Sequence, residues 1–135
     1  MPAAIEHGIS GELLLPARPT ELGVARDYAL RTAAAFGFDE DECDDLAFAV
    51  NEAVTNAIRH GAPNERGLIS IEAIAQGQSL TFSVRDYGTF RRAAASASPL
   101  AEGGRGFAMM ARCTDAMQLC VGQGMTTVRL SKARS

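Results

Sequence analysis

Two helical stretches lie back to back near the start of this chain, and the hydrophobic period changes after them. From Leu22 to Phe36 the residues Leu22, Ala25, Tyr28, Ala29, Ala33 and Phe36 recur at three and four positions, the spacing of one helix face. Thr20 stands where a hydroxyl can cap the start, and Gly37 where a left-handed turn ends a helix. Asp39 and Glu42 then have the spacing of a capping box, with Asp in place of the usual Ser or Thr. They predict a second helix running toward His60 with Gly61 as its stop. Its buried stripe is Cys43, Leu46, Ala47, Val50, Ala53, Val54, Ala57 and Ile58.

Beyond Gly61 the pattern turns strand-like. Leu68 to Ala75 and Ser79 to Asp86 alternate in part and are joined through Gln76, Gly77 and Gln78, which predicts an antiparallel hairpin. Met117 to Val121 and Met125 to Leu130 form a second pair about Gly122, Gln123 and Gly124. A short strand over Gly11 to Leu15 precedes the helices, and Gly106 leads into a third helix with Phe107, Met110, Ala111 and Thr114 on one side. Residues 88–104 are rich in Ala, Ser and Gly, without lasting periodicity, and read as a long loop of the kind that serves as a lid. The order strand, helix, helix, hairpin, lid, helix, hairpin predicts an α+β two-layer sandwich. An antiparallel or mixed sheet is covered on one face by helices.

At 135 residues the chain reads as a single domain, 1–135, large enough to bury a core without disulfide or metal staples. A net charge of -3 argues against binding nucleic acid through a clustered basic surface. No apolar run approaches the roughly 20 residues that span a bilayer, and the start MPAAIEHGIS lacks a signal-peptide layout. With Cys43, Cys113 and Cys120 in no CxxC spacing, the expectation is a reduced, cytoplasmic protein whose cysteines act as small buried hydrophobes. Met109, Met110 and Met117 are likewise expected in the core. The acidic run 39–45 opens a helix, where the macrodipole favours carboxylates, so a capping turn explains it better than a metal site. His7 and His60 have no recognised metal spacing.

Three features carry chemistry. Glu52 and Asn56 are four residues apart and project from one side of the second helix, near Asp45, Ala49 and His60. Taken alone, such a pair is more often a solvated face. Asp86 ends a strand run just before Tyr87 and Gly88, where a carboxylate can accept from an exocyclic amine and glycine lets a ligand approach the backbone. An ordinary strand exit also favours these residues. Gly103, Gly104, Arg105 and Gly106 precede a helix and offer backbone N–H groups to an anion, although a hinge would use the same glycines. A Walker loop is excluded, since the only lysine is Lys132. In this order the three can supply a metal-phosphate ligand, a base-reading acceptor and a phosphate cradle, which together describe a nucleotide pocket.

The blocks AVNEAVTNAIRHG, SVRDYG, GGRGFAMM and GMTTVRL, in that order, resemble the N, G1 and G2 boxes and final strand of the GHKL ATPases. The resemblance is closest to the small bacterial anti-sigma-factor serine kinases of the RsbW type and covers nearly the whole chain. It implies ATP and Mg²⁺ as cofactors in a Bergerat-type fold, with Asn56 binding the Mg²⁺. Glu52 is implied as the general base that takes a proton from a serine hydroxyl. Asp86 is implied to accept from the adenine amine, with Gly88 beside it and Thr127 supporting the contact through water. Gly104, Arg105 and Gly106 are implied to cradle the phosphates. The lid is similar to the family's, with Thr89 where a further glycine is common and with Arg91 and Arg92 adding positive charge.

The same resemblance implies partners: a sigma factor, and an anti-anti-sigma antagonist of the STAS type whose serine is phosphorylated. Relatives of this type are often homodimers. Two alternatives remain at the level of sequence. One is a non-catalytic nucleotide-binding module of the same fold that controls a partner by docking; the other is an acidic interaction domain with a merely flexible glycine loop. The presence of Glu52 favours the kinase.

Overall fold

A computed structural model of the chain describes residues 10–61, 67–86, 104–122 and 125–134. Strands β1 (Ser10–Pro16), β2 (Leu68–Gln76), β3 (Ser79–Asp86), β4 (Ala116–Gly122) and β5 (Met125–Ala133) form one sheet in the order β1-β2-β3-β5-β4. Each neighbouring pair is antiparallel, so the mixed alternative drops out. Helices α1 (Leu22–Phe36), α2 (Glu40–Asn56) and α3 (Gly104–Arg112) lie on one face. The α+β two-layer sandwich expected from the sequence is the observed architecture.

The core sits between these layers. Ile69, Ile71 and Ala73 of β2, Leu80, Phe82 and Val84 of β3 and Val128 and Leu130 of β5 alternate toward the helices. They meet the α2 stripe from Cys43 to Ala57, and Ile58 is partly buried beside it. Each large side chain so buried contributes roughly 1.5 to 3 kcal/mol. Ala25, Ala29 and Ala33 of α1 are fully buried against α2, and their small size lets the two helices approach closely. Tyr28 sets its ring edge-on to Phe82 at 6.3 Å, and burial pushes its phenol above the ordinary tyrosine range.

Several boundaries follow local chemistry. The capping box forms as expected: Glu42 N donates to Asp39 Oδ1 at 2.8 Å and Asp39 N donates to Glu42 Oε1 at 2.9 Å. Thr20 does not cap α1. Pro19 instead starts a 3₁₀ turn, Pro19–Glu21, that feeds into the helix without a side-chain cap, because proline's fixed φ suits a first helical position. The expected run of α2 to His60 is α-helical only to Asn56; Ala57–Gly61 continue it as a wider π turn. Strand β5 extends to Ala133, beyond Leu130, since Ala133 N donates to Asp115 Oδ2 at 2.7 Å.

The methionines and cysteines divide. Met110 is fully buried and Met117 packs against the core, but Met109 is exposed on the outer side of α3. Cys43 is buried as expected, Cys113 is half-buried, and Cys120 is exposed on the edge strand β4. Burial raises the Cys43 and Cys113 thiols above their ordinary value, with nearby carboxylates adding to it, so both stay protonated at neutral pH.

Gly37 closes α1 at φ 108°, with its N–H to Ala34 O at 3.0 Å and Phe38 N–H to Ala33 O at 3.2 Å, a Schellman arrangement. Arg134, from the end of β5, donates to Phe36 O, which ends this helix, and lies 4.4 Å above the Phe36 ring. A Cβ on Gly37 would sit 2.8 Å from Arg134 Nη1. Gly37→Ala is therefore expected to destabilise the fold by about 1 to 2 kcal/mol through the left-handed backbone, with a further loss as Arg134 is displaced. Urea denaturation checks this. Repeating the substitution in an Arg134→Ala background removes the second part and keeps the first.

Candidate active site

Helix α2 packs against β3, the strand that finishes in Asp86, and against β5 beside it. Its register is set far upstream by the capping box at Asp39, so the spacing of one turn carries Glu52 and Asn56 to the same side. Both are half-buried, and their immediate neighbours Ala49 and Ala53 are small and fully buried. The following π turn packs against β3. A π turn widens the helix by one residue, and such turns are frequent at functional sites.

Asp86 is the last residue of β3 and only 2% exposed. It pairs with Ile69 on one side and with Thr126 on the other. Strand alternation puts Asp86 and Thr126 on the helix-covered face, in line with Val84 and Val128. The neighbouring pair, Arg85 with Thr127, points to the opposite face. Thr127 is thus not brought to Asp86, and its neighbour Thr126 is. A shift of one residue along a strand reverses the face, and the register that decides it comes from pairing with β3, which the sequence does not spell out.

Three buried polar atoms here lack a hydrogen-bond partner among the described residues: Asn56 Nδ2, Asn51 Oδ1 and Thr126 Oγ1. Folded proteins rarely leave such atoms unsatisfied, and a site that binds a polar ligand is one reason they do. The carboxamide of Asn56 can present either oxygen or nitrogen outward by a half-turn of its last torsion, so a hard cation can find an oxygen there. The donor set therefore fits Mg²⁺ held by one protein ligand with the remainder from phosphate and water.

Helix α3 begins at Gly104, so Gly104, Arg105 and Gly106 form its first turn and do not precede it as expected. The N–H groups of a helix's first turn have no partner within the helix. The helix packs against α2, which places its start in the same layer as Glu52 and Asn56. Gly88 and the expected lid, with Thr89, Arg91 and Arg92, lie outside the described residues. No helix among the described residues is long and apolar enough to cross a membrane.

Comparison with known proteins agrees with this layout. Residues 15–132 match the family described as the histidine kinase-like ATPase domain. The chain is 29% identical over 130 residues to a protein of Bacillus pumilus (strain SAFR-032) named serine-protein kinase RsbW, covering 85% of this chain and 80% of that one. It is 43% identical over 65 residues to the anti-sigma F factor of Clostridium acetobutylicum, covering 45% of this chain and 46% of that protein. Among solved structures, that of the RsbU and RsbW domains of Rv1364c from Mycobacterium tuberculosis superposes with a TM-score of 0.71 at 24% identity. This match covers 92% of the present chain and 32% of the longer one, and it speaks for the fold alone.

Proposed function

This chain belongs to the histidine kinase-like ATPase domain family, and on that footing we propose that it is an ATP-dependent serine protein kinase acting as an anti-sigma factor. It binds a sigma factor and is released from it through a small antagonist whose serine it phosphorylates. The names of the relatives, serine-protein kinase RsbW and anti-sigma F factor, support this reading. The observation that carries it is local: Glu52 stands one turn before Asn56, at the end of α2 that packs on the strand ending in Asp86.

The chemistry divides among named residues. Asp86 and Thr126 receive the adenine, the carboxylate accepting from the exocyclic amine and the hydroxyl joining through its otherwise unpartnered oxygen. This pattern favours adenine over guanine, which presents a carbonyl at that position. The first-turn N–H groups of Gly104, Arg105 and Gly106 face the phosphates, with the positive end of α3 behind them. Asn56 would hold Mg²⁺, which supplies neutralising charge at the phosphate oxygens. Glu52 takes the proton from the attacking serine hydroxyl as its oxygen bonds to the γ-phosphorus. The bond from that phosphorus to the bridging oxygen breaks, and ADP leaves.

The adenine assignment is tested by exchanging hydroxyl for methyl on either face of β5. Thr126→Val is expected to weaken ATP binding about five- to tenfold, the value of one hydrogen bond, whereas Thr127→Val leaves it unchanged. Calorimetric titration reads both. Loss on Thr127→Val alone would contradict the assignment, because that side chain points away from Asp86.

A further inference from the structure

The two edges of the sheet are guarded unequally. Strand β1 carries Glu12 and ends in Pro16, a charge and a proline of the kind that keep an edge from pairing with another chain. Strand β4, AMQLCVG, has neither over its 7 residues, and among the described residues no strand pairs with its outer side. The free N–H and C=O groups of such an edge are a template for one more strand. Side chains alternate along it. Met117, Leu119 and Val121 belong to the helix-covered face, in register with Leu130, Val128 and Thr126. Val121 is 51% exposed there, and Met109 of α3, the helix packed on β4, is 42% exposed. Gln118 and Cys120 belong to the opposite face and are exposed. On that face Glu72, Ser83, Arg129 and Gln118 stand in one row, acidic at β2 and basic at β5. A shallow depression of about 350 Å³ is lined there by Gln118, Arg129 and Arg85, with Glu72 on its far side. Strands β4 and β5 contain no carboxylate, and neither Arg129 nor Arg112, at the end of α3, forms an ion pair among the described residues. Asp115, just before β4, accepts from Ala133 N.

We propose that the outer edge of β4 takes up an extended segment of a partner protein as a further strand, a segment in which apolar and acidic residues alternate. The backbone of the edge supplies the hydrogen bonds, and the two faces supply the selection. Side chains of the added strand that fall on the helix side lie beside Leu119 and Val121, where apolar groups remove exposed surface from water. Those on the opposite side lie beside Gln118, with Arg129 one strand further in. Neighbouring strands are about 4.8 Å apart, so a glutamate of the added strand and the long Arg129 side chain can meet over Gln118. Basic residues at the same positions face Arg129 and are disfavoured. The same charges disfavour a second copy at this edge, because pairing β4 with β4 brings the Arg129 and Arg112 side chains of both chains together. Pairing there uses neither Glu52 nor Asn56, which lie on α2.

The probe is a blocked heptapeptide of alternating valine and glutamate, titrated at low salt into the full, isotope-labelled chain and followed by amide NMR. Shifts are expected to concentrate in Ala116–Gly122, with slowed exchange at alternate amides of β4. The corresponding valine-lysine peptide should bind at least about tenfold more weakly. Arg129→Ser and Gln118→Glu should each weaken the glutamate peptide about two- to fivefold, the worth of an exposed charge pair, and Gln118→Glu should narrow its advantage over the lysine peptide. Circular dichroism verifies folding of both variants. Methylating the backbone nitrogens of the valines in one peptide and of the glutamates in another separates strand pairing from mere charge. Alternate amides face β4, so one of these two peptides should lose binding and the other keep it. No shift at β4 up to about 1 mM peptide, a Kd too weak for recognition, would overturn the proposal. So would equal binding of the glutamate and lysine peptides, or binding that both methylated peptides retain. Outer amides of β4 already protected in the dilute free chain would overturn it too, since another segment of the chain or a second copy would then hold the edge.

Discussion

Glu52→Ala is expected to leave Mg²⁺-dependent ATP binding intact while phosphoryl transfer to a serine-bearing antagonist falls about 10²- to 10⁴-fold, the usual contribution of a positioned general base. The split between binding and transfer is what distinguishes a base from a structural carboxylate. Glu52 is half-buried on the exposed side of α2, and its neighbours Ala49 and Ala53 are held by packing that does not involve it. Removing its side chain should therefore change stability little. Labelled ATP, followed by transfer of the γ-phosphate to protein, gives the rate, and calorimetry gives the binding. If transfer persisted at the unaltered rate, the proton would have to leave by another route, and Glu52 would lose its role. If neither variant nor parent transfers phosphate while both bind ATP, the chain is a nucleotide-binding module that controls its partner by docking.

Asn56→Ala acts at an earlier step and should cost more. With the carboxamide proposed to hold the cation gone, Mg²⁺-dependent ATP affinity is expected to fall about a hundredfold, as for loss of a strong, charge-assisted contact of about 3 kcal/mol. The fold should hardly notice. Asn56 Nδ2 makes no hydrogen bond among the described residues, so its removal leaves no buried partner stranded there. A functional loss without a stability loss is the signature of a residue held for a ligand. Unchanged affinity in the presence of Mg²⁺ would remove Asn56 from the site.

What could be read from the sequence depended on whether a feature is decided locally. The capping box at Asp39 and Glu42, the left-handed stop at Gly37 and the turn at Gly77, with φ 62°, are each fixed within a few residues. So was the side on which Glu52 and Asn56 fall, because helix geometry alone sets it. Asp86 was recognisable as a strand end for the same reason.

That Thr126 and not Thr127 shares the face of Asp86 was not legible, because two adjacent threonines differ only in which face each presents, and that depends on pairing with a strand about forty residues earlier in the chain. The π turn after Asn56 has no sequence signature of its own. Gly104 and Gly106 were expected to precede the third helix, yet they form the first turn of a helix anchored downstream by fully buried Met110. Cys120 and Met109 were expected inside on composition, but an edge strand and an outer helix face leave them exposed. The polarity of the open sheet face was equally hidden, since Glu72, Ser83 and Arg129 come into one row only through the strand order.

The central claim is transfer of phosphate to a partner's serine. Its most direct measurement uses the purified chain, the small antagonist recovered with it from its own cells, Mg²⁺ and ATP labelled at the γ-phosphate, followed by phosphoamino-acid identification. The account predicts label on a serine of the antagonist, lost in Glu52→Ala and absent without Mg²⁺. An unlabelled antagonist in a mixture where the chain demonstrably binds ATP would contradict it.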